Sequence, residues 1–127
     1  MKERPRKYGN KRTWEHAIDA VEARGGRATV AEVREFLTSH FPNYNPANAG
    51  ADLDTCSVNC ESRGAYTAVN GAPRRTDMQH PGDKLYKHGH RKDVFYEIYR
   101  PARHGVWELY EAGTRYLAVR RALNATE

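Results

Sequence analysis

Cys56 and Cys60 stand four residues apart, and His80, His88, His90 and His104 follow later in the chain. Thiolate and imidazole are zinc ligands, but the usual zinc frameworks use paired Cys-x-x-Cys turns or a Cys2His2 spacing, and neither occurs here. An i, i+4 spacing on a helix also suits a disulfide poorly. The two cysteines are therefore expected as small buried apolar side chains, with no metal and no cofactor. The HGH run at 88–90 lies beside Lys87, Arg91 and Lys92. As a nuclease remnant it lacks a following helix with a second metal-binding histidine, whereas partly charged imidazoles beside basic residues suit phosphate. Glu97 stands among aromatics in a strand-like run and reads as a cross-strand ion-pair partner rather than a catalytic base. No glycine-rich phosphate loop, no G-x-S-x-G and no paired acids appear. The expectation is a chain without a catalytic centre.

The elements that must position these groups are constrained by the totals. A length of 127 residues with 39% hydrophobic content allows one domain with one modest core. The basic start, MKERPRKYGNKR, is followed by no apolar stretch and does not read as a secretory signal. With no run long enough for a membrane span and only two cysteines, a reducing cytoplasm is the expected location. The net charge is +5, and its distribution says more than its size. Residues 1–12 hold six Lys/Arg against one Glu, 13–62 hold three against eight acids, and 63–103 hold nine against four. A basic tail and a basic later segment around an acidic middle are a footprint of nucleic-acid binding.

Hydrophobic periodicity predicts three helices first. Thr13 caps one whose stripe is Trp14, Ala17, Ile18 and Val21, ended by Gly25 and Gly26. Thr29 and Glu32 form a capping box for a second, carrying Val30, Val33, Phe36 and Leu37 and stopped by Pro42. Asn45 caps a third that begins at Pro46 and runs to about Ser57. A long polar excursion follows Arg63, with a short strand expected near Tyr66. DVFYEIYR and GVWELYE then read as two strands joined by the turn PARHG, and EAGTRYLAVRRAL as a terminal helix with Tyr116, Val119 and Leu123 on one side. The predicted fold is α+β: a winged helix-turn-helix of three helices with a β-hairpin wing, plus an extra C-terminal helix. The expected organisation is a basic arm at 1–12, a winged-helix domain at 13–111 and the last helix at 112–127.

In such a fold the third helix enters the major groove. Leu53 and Val58 point inward, while Asn48, Ala51, Asp52, Thr55 and Asn59 face outward or flank, and Asn45 stands at the start. Asparagine can pair bidentately with adenine, and threonine can touch a thymine methyl. Asp52 and Asp54 argue against this face, because they repel phosphate unless turned aside. Backbone contacts are expected from Arg4, Arg6, Lys7, Lys11 and Arg12 on the arm, from Arg63 at the helix exit, and from Arg100 and Arg103 on the wing. Tyr96 or Tyr99 would supply the aromatic wall if a modified base is read.

The run FPNYNPANAGADLDTCSVNCESR, followed by DKLYKHG and FYEIYRPARHGVWEL, resembles the winged-helix modules fused to HNH-type and related restriction endonucleases of prokaryotes. Asn45, Pro46, Asp52, Leu53, Ser57, Val58, Asn59, Ser62, Arg63, Tyr99, Gly105 and Trp107 carry the likeness, within residues 13–111. The resemblance implies double-stranded DNA recognition in a restriction or defence setting, extending to modified bases such as N6-methyladenine. No nuclease domain accompanies the module in these 127 residues, which leaves three expectations open: a fragment of a larger nuclease, a protein that acts alone, or one that acts with a nuclease domain or subunit as partner. Two rival readings stand beside it: a protein–protein docking winged helix, with the acidic helical half as its interface, and a metal-dependent nuclease built on the histidines.

Overall fold

A computed structural model of the chain describes residues 12–89 and 91–122. Helix α1 (Thr13–Ala23) begins where the Glu15 carboxylate accepts the Arg12 N–H at 2.8 Å, and it buries Ala17, Ile18, Ala20 and Val21. After a two-residue strand β1 (Arg27–Ala28), helix α2 (Val30–His40) starts with a reciprocal cap. The Thr29 hydroxyl accepts the Glu32 N–H, and the Glu32 carboxylate accepts the Thr29 N–H, so two otherwise orphaned donors are satisfied. A 3-10 turn (Pro46–Asn48) then feeds α3 (Ala49–Thr55).

Against these helices lies an antiparallel sheet in the order β1-β4-β3, with β3 spanning Leu85–His88 and β4 spanning Phe95–Ile98. Side chains alternate across a strand, so one face of this sheet carries Leu85 and Tyr96 into the core and the other carries Tyr86, His88, Phe95 and Glu97. Val33, Leu37, Leu53 and Leu85 have no exposure at all, and each contributes about 1.5–3 kcal/mol by leaving water.

The rest of the chain builds a second layer. A 3-10 turn (Glu61–Ala65), helix α4 (Thr67–Asn70) and strand β2 (Arg74–Arg75) lead to β3, and helix α5 (Pro101–His104) leads from β4 to β5 (Trp107–Tyr110) and β6 (Ala118–Arg121). These strands form a second antiparallel sheet in the order β2-β5-β6. Gly64 allows β6 to approach, since a Cβ there would stand 1.9 Å from the Leu117 carbonyl oxygen. The mixed α+β class expected from the sequence is the one observed.

Several expectations about the elements are corrected. The runs DVFYEIYR and GVWELYE do not pair with each other: β4 pairs with β1 and β3, and β5 with β2 and β6. PARHG is no hairpin tip but a helical turn, because Pro101 holds its first position and Gly105 follows at φ +82 to end it. The expected terminal helix is instead β6 over Ala118–Arg121, where pairing with β5 satisfies the backbone and the partly covered Ala118 and Val119 give way to the exposed Arg120 and Arg121. Leu123 lies outside the described residues. The short strand expected near Tyr66 is the helical turn α4. Among the described residues no helix is long and apolar enough to cross a membrane.

Candidate functional site

The proline-started segment shows its outer surface at its beginning. Asn45 Oδ1 accepts the Ala47 N–H at 3.0 Å, and Arg34 of α2 braces the turn by donating from Nε to the Pro46 carbonyl at 3.1 Å. Asn45, Pro46, Ala47 and Asn48 are exposed, Gly50 and Ala51 are half-buried, and Ala49 and Leu53 are buried. The two carboxylates that argued against this face are tied to the chain's own groups. Asp52 accepts from the Thr13 hydroxyl at 3.3 Å and from the Tyr44 hydroxyl at 3.2 Å. Burial raises its carboxyl above the ordinary range, against the pull of those two bonds. Asp54 accepts from Lys87 Nζ at 3.0 Å and from the Tyr96 hydroxyl at 2.5 Å.

Several expected contact residues turn inward. Thr55 is buried, and its hydroxyl donates to the Ala51 carbonyl at 2.7 Å. Asn59 works as an extra neighbour of β3: its amide donates to the Lys87 carbonyl at 2.8 Å and its oxygen accepts the Lys87 N–H at 2.9 Å. Arg63 has no exposure; its Nη2 donates to Asp83 at 2.6 Å, to the Gly82 carbonyl at 2.9 Å and to Asn70 Oδ1 at 3.0 Å. Burial alone would raise the Asp83 carboxyl, but Arg74 and Arg63 outweigh it and hold it below the ordinary range. Tyr96 and Tyr99 are buried, so neither offers an aromatic wall to a base. Burial and the neighbouring Asp54 push the Tyr96 phenol far up, which keeps it a neutral donor. Tyr99 is one link of a relay in which the Trp107 N–H donates to Thr76 Oγ1, the Thr76 hydroxyl to Tyr99, and the Tyr99 hydroxyl to the Gly105 carbonyl. Cys56 and Cys60 are free and buried as expected, and burial pushes the Cys56 thiol up to about 12.

The expected cations divide into three groups. Arg4, Arg6, Lys7 and Lys11 lie outside the described residues, while Arg12 is exposed just before α1. Arg100 and Arg103 are exposed, but they stand on and beside α5, and Arg103 lies 3.4 Å from Glu97. Two connections join consecutive paired strands, β3–β4 and β5–β6, and the one between β3 and β4 holds cations that sequence reasoning does not assign to a wing. Arg91 and Lys92 are exposed there, in a 3-10 turn (Arg91–Asp93) that follows Gly89 at φ +84. A Cβ at Gly89 would stand 2.1 Å from the Asp93 carbonyl oxygen, so the turn closes only around glycine. A signal was present in the sequence: HGHRKD places glycine and charges between two β-compatible runs, LYKH and VFYEI. The base of this hairpin is fastened to the end of α3 through Asp54, which holds Lys87 and Tyr96, and to the segment that follows α3 through Asn59.

On the outer face of the first sheet, three groups from three elements converge. Glu97 Oε1 accepts from His88 Nε2 at 2.9 Å and from His104 Nε2 at 2.8 Å. His88 stacks on Phe95 at 4.6 Å and 10°, and His104 stacks on Tyr86 at 4.4 Å and 12°. Burial would raise the Glu97 carboxyl, but the bonds from His104 and His88 and the charge of Arg103 prevail and lower it. No family model, curated protein or solved structure matches the chain.

Proposed function

We propose that the chain binds double-stranded DNA as a winged helix, with α3 and its leading turn in the major groove and the β3–β4 turn as the wing. The order α1-β1-α2-α3, followed after the excursion through α4 and β2 by β3-β4, with strands arranged β1-β4-β3, supports that reading. The observation that carries it is the disposal of the two aspartates. With Asp52 held by Thr13 and Tyr44, and Asp54 by Lys87 and Tyr96, the surface from Asn45 to Ala51 presents small and amide side chains without a loose carboxylate. Asn48 reads base edges, and Arg91 and Lys92 on the β3–β4 turn neutralise phosphates. The basic residues of 1–12 add sequence-independent affinity.

The test is an anisotropy titration of duplex DNA across a salt series. Binding should weaken log-linearly with salt, and the Arg91→Ala/Lys92→Ala double variant should flatten the slope by about 0.9 for each phosphate that is no longer neutralised. Asn48→Ala should reduce discrimination between sequences, by about 1–3 kcal/mol at the position it reads. With Tyr96 and Tyr99 internal, unmodified and adenine-methylated duplexes should bind alike. Binding that ignores salt, or is untouched in the double variant, would sink the proposal and favour a docking module instead.

A further inference from the structure

We propose that His88, Glu97 and His104 form a binding site for a divalent transition metal of the zinc class. The three side chains come from β3, β4 and α5, and their ligand atoms all lie within 4.8 Å of one another. The two nitrogen–oxygen edges, 2.9 and 2.8 Å, need to open only slightly, because ligands around a tetrahedral zinc stand about 3.3 Å apart. Both rings are already oriented, by Phe95 and by Tyr86, and Arg103 holds the second carboxylate oxygen at 3.4 Å. Two imidazoles and one carboxylate suit zinc, cobalt or nickel and discriminate against magnesium and calcium. Three ligands leave a tetrahedral metal one open position. His88 is the side from which solvent reaches it, being 28% exposed where His104 is 3% exposed.

The hydrogen bonds determine what the metal must displace. A carboxylate only accepts, so each histidine carries its proton on Nε2 when bonded to Glu97. His104 is fixed in that tautomer, because its Nδ1 accepts the Arg100 N–H at 3.0 Å. On metal binding each imidazole gives up its Nε2 proton, that of His104 to its own Nδ1 and that of His88 to its Nδ1 or to solvent, and both Nε2 lone pairs turn to the ion. The new Nδ1–H of His104 then faces the Arg100 amide, donor against donor, and that bond must break. Metal occupancy is thereby coupled to the first turn of α5, which connects β4 of the first sheet to β5 of the second.

The experiment is calorimetric titration of the tag-free full chain with Zn²⁺ and with Co²⁺, alongside amide NMR of Arg100. One equivalent of metal should bind, His88→Gln and Glu97→Gln should each weaken it by about tenfold or more, and Cys56→Ser should leave it unchanged. The Arg100 amide should shift on saturation. The proposal is overturned if the wild-type chain shows no saturable binding, or if binding survives in both His88→Gln and Glu97→Gln. It is equally overturned if Cys56→Ser abolishes binding, or if the metal saturates without moving the Arg100 amide.

Discussion

Leu53 and Arg63 are both without solvent exposure, and they are surrounded by opposite chemistry. Leu53 lies in an apolar centre shared with Val21, Val33, Leu37 and Leu85, where three helices meet one sheet. Arg63 lies under the excursion between α3 and β3, in a polar cluster of Asp83, Arg74 and Asn70 that is saturated on one side and not on the other. Its Nε and Nη1 meet no acceptor among the described residues. Apolar packing weakens in proportion to the volume removed from it. An ionic cluster is less forgiving, because removing the one anion strands two cations. The helical part is therefore expected to be the robust one, and the later part the one that fails first.

The largest effect that could break this contrast is Asp83→Asn. It should cost about 3–5 kcal/mol, because it leaves Arg63 and Arg74 without a counter-charge. Arg63→Met should cost less, since Arg74 remains to neutralise Asp83. Trp14 in α1 and Trp107 in β5 report the two parts separately in denaturant titrations, and Asp83→Asn should lower the Trp107 transition more than the Trp14 one. Next in size, Leu53→Ala should cost about 3 kcal/mol and move both transitions, because the second layer rests on the first. Equal shifts at both tryptophans for Asp83→Asn would show a single cooperative unit and dissolve the contrast.

Acid should separate the parts by a smaller margin. The Asp83 carboxyl is lowered in the folded chain, so its contribution is present above the ordinary carboxylate range and is lost as pH falls through the depressed value. Asp52 is raised by burial, and its sign is opposite: the folded state gains as pH falls through the raised value toward the ordinary one. Fluorescence below about pH 4 should therefore show Trp107 reporting disruption before Trp14. The smallest effect is expected from Asn59→Ala, about 1–2 kcal/mol for the two bonds to the Lys87 backbone that it removes. Hydrogen exchange should then quicken at the Lys87 amide while the α1 amides keep their protection.

The same contrast explains what is legible from sequence. The caps of α2 and of the Pro46 turn, and the buried stripes of α1 and α2, are written in neighbouring residues, and the structure keeps them. Local pattern leaves Thr55, Asn59, Arg63, Tyr96 and Tyr99 free to face outward because their surroundings, including Lys87 and Asp83, come from far along the chain. Periodicity places a residue on a face, but it does not reveal which distant element will cover that face. PARHG reads as a hairpin tip because a short Pro- and Gly-bounded segment suits a turn as well as one helical turn. The β3–β4 hairpin is hard to see because LYKH alternates weakly, with Lys87 on its inward side held by Asp54. The final strand follows from pairing with β5, which no local pattern announces.

The relay through Thr76 runs in one direction only, since a backbone amide begins it and a backbone carbonyl ends it. A lone oxygen atom thus sutures both layers, receiving from one strand and giving to the tail of another. Valine, of matching shape, would strand an amide and deprive a phenol in the same stroke, whereas serine would keep the stitch. The seam between the layers consequently demands a hydroxyl, not bulk.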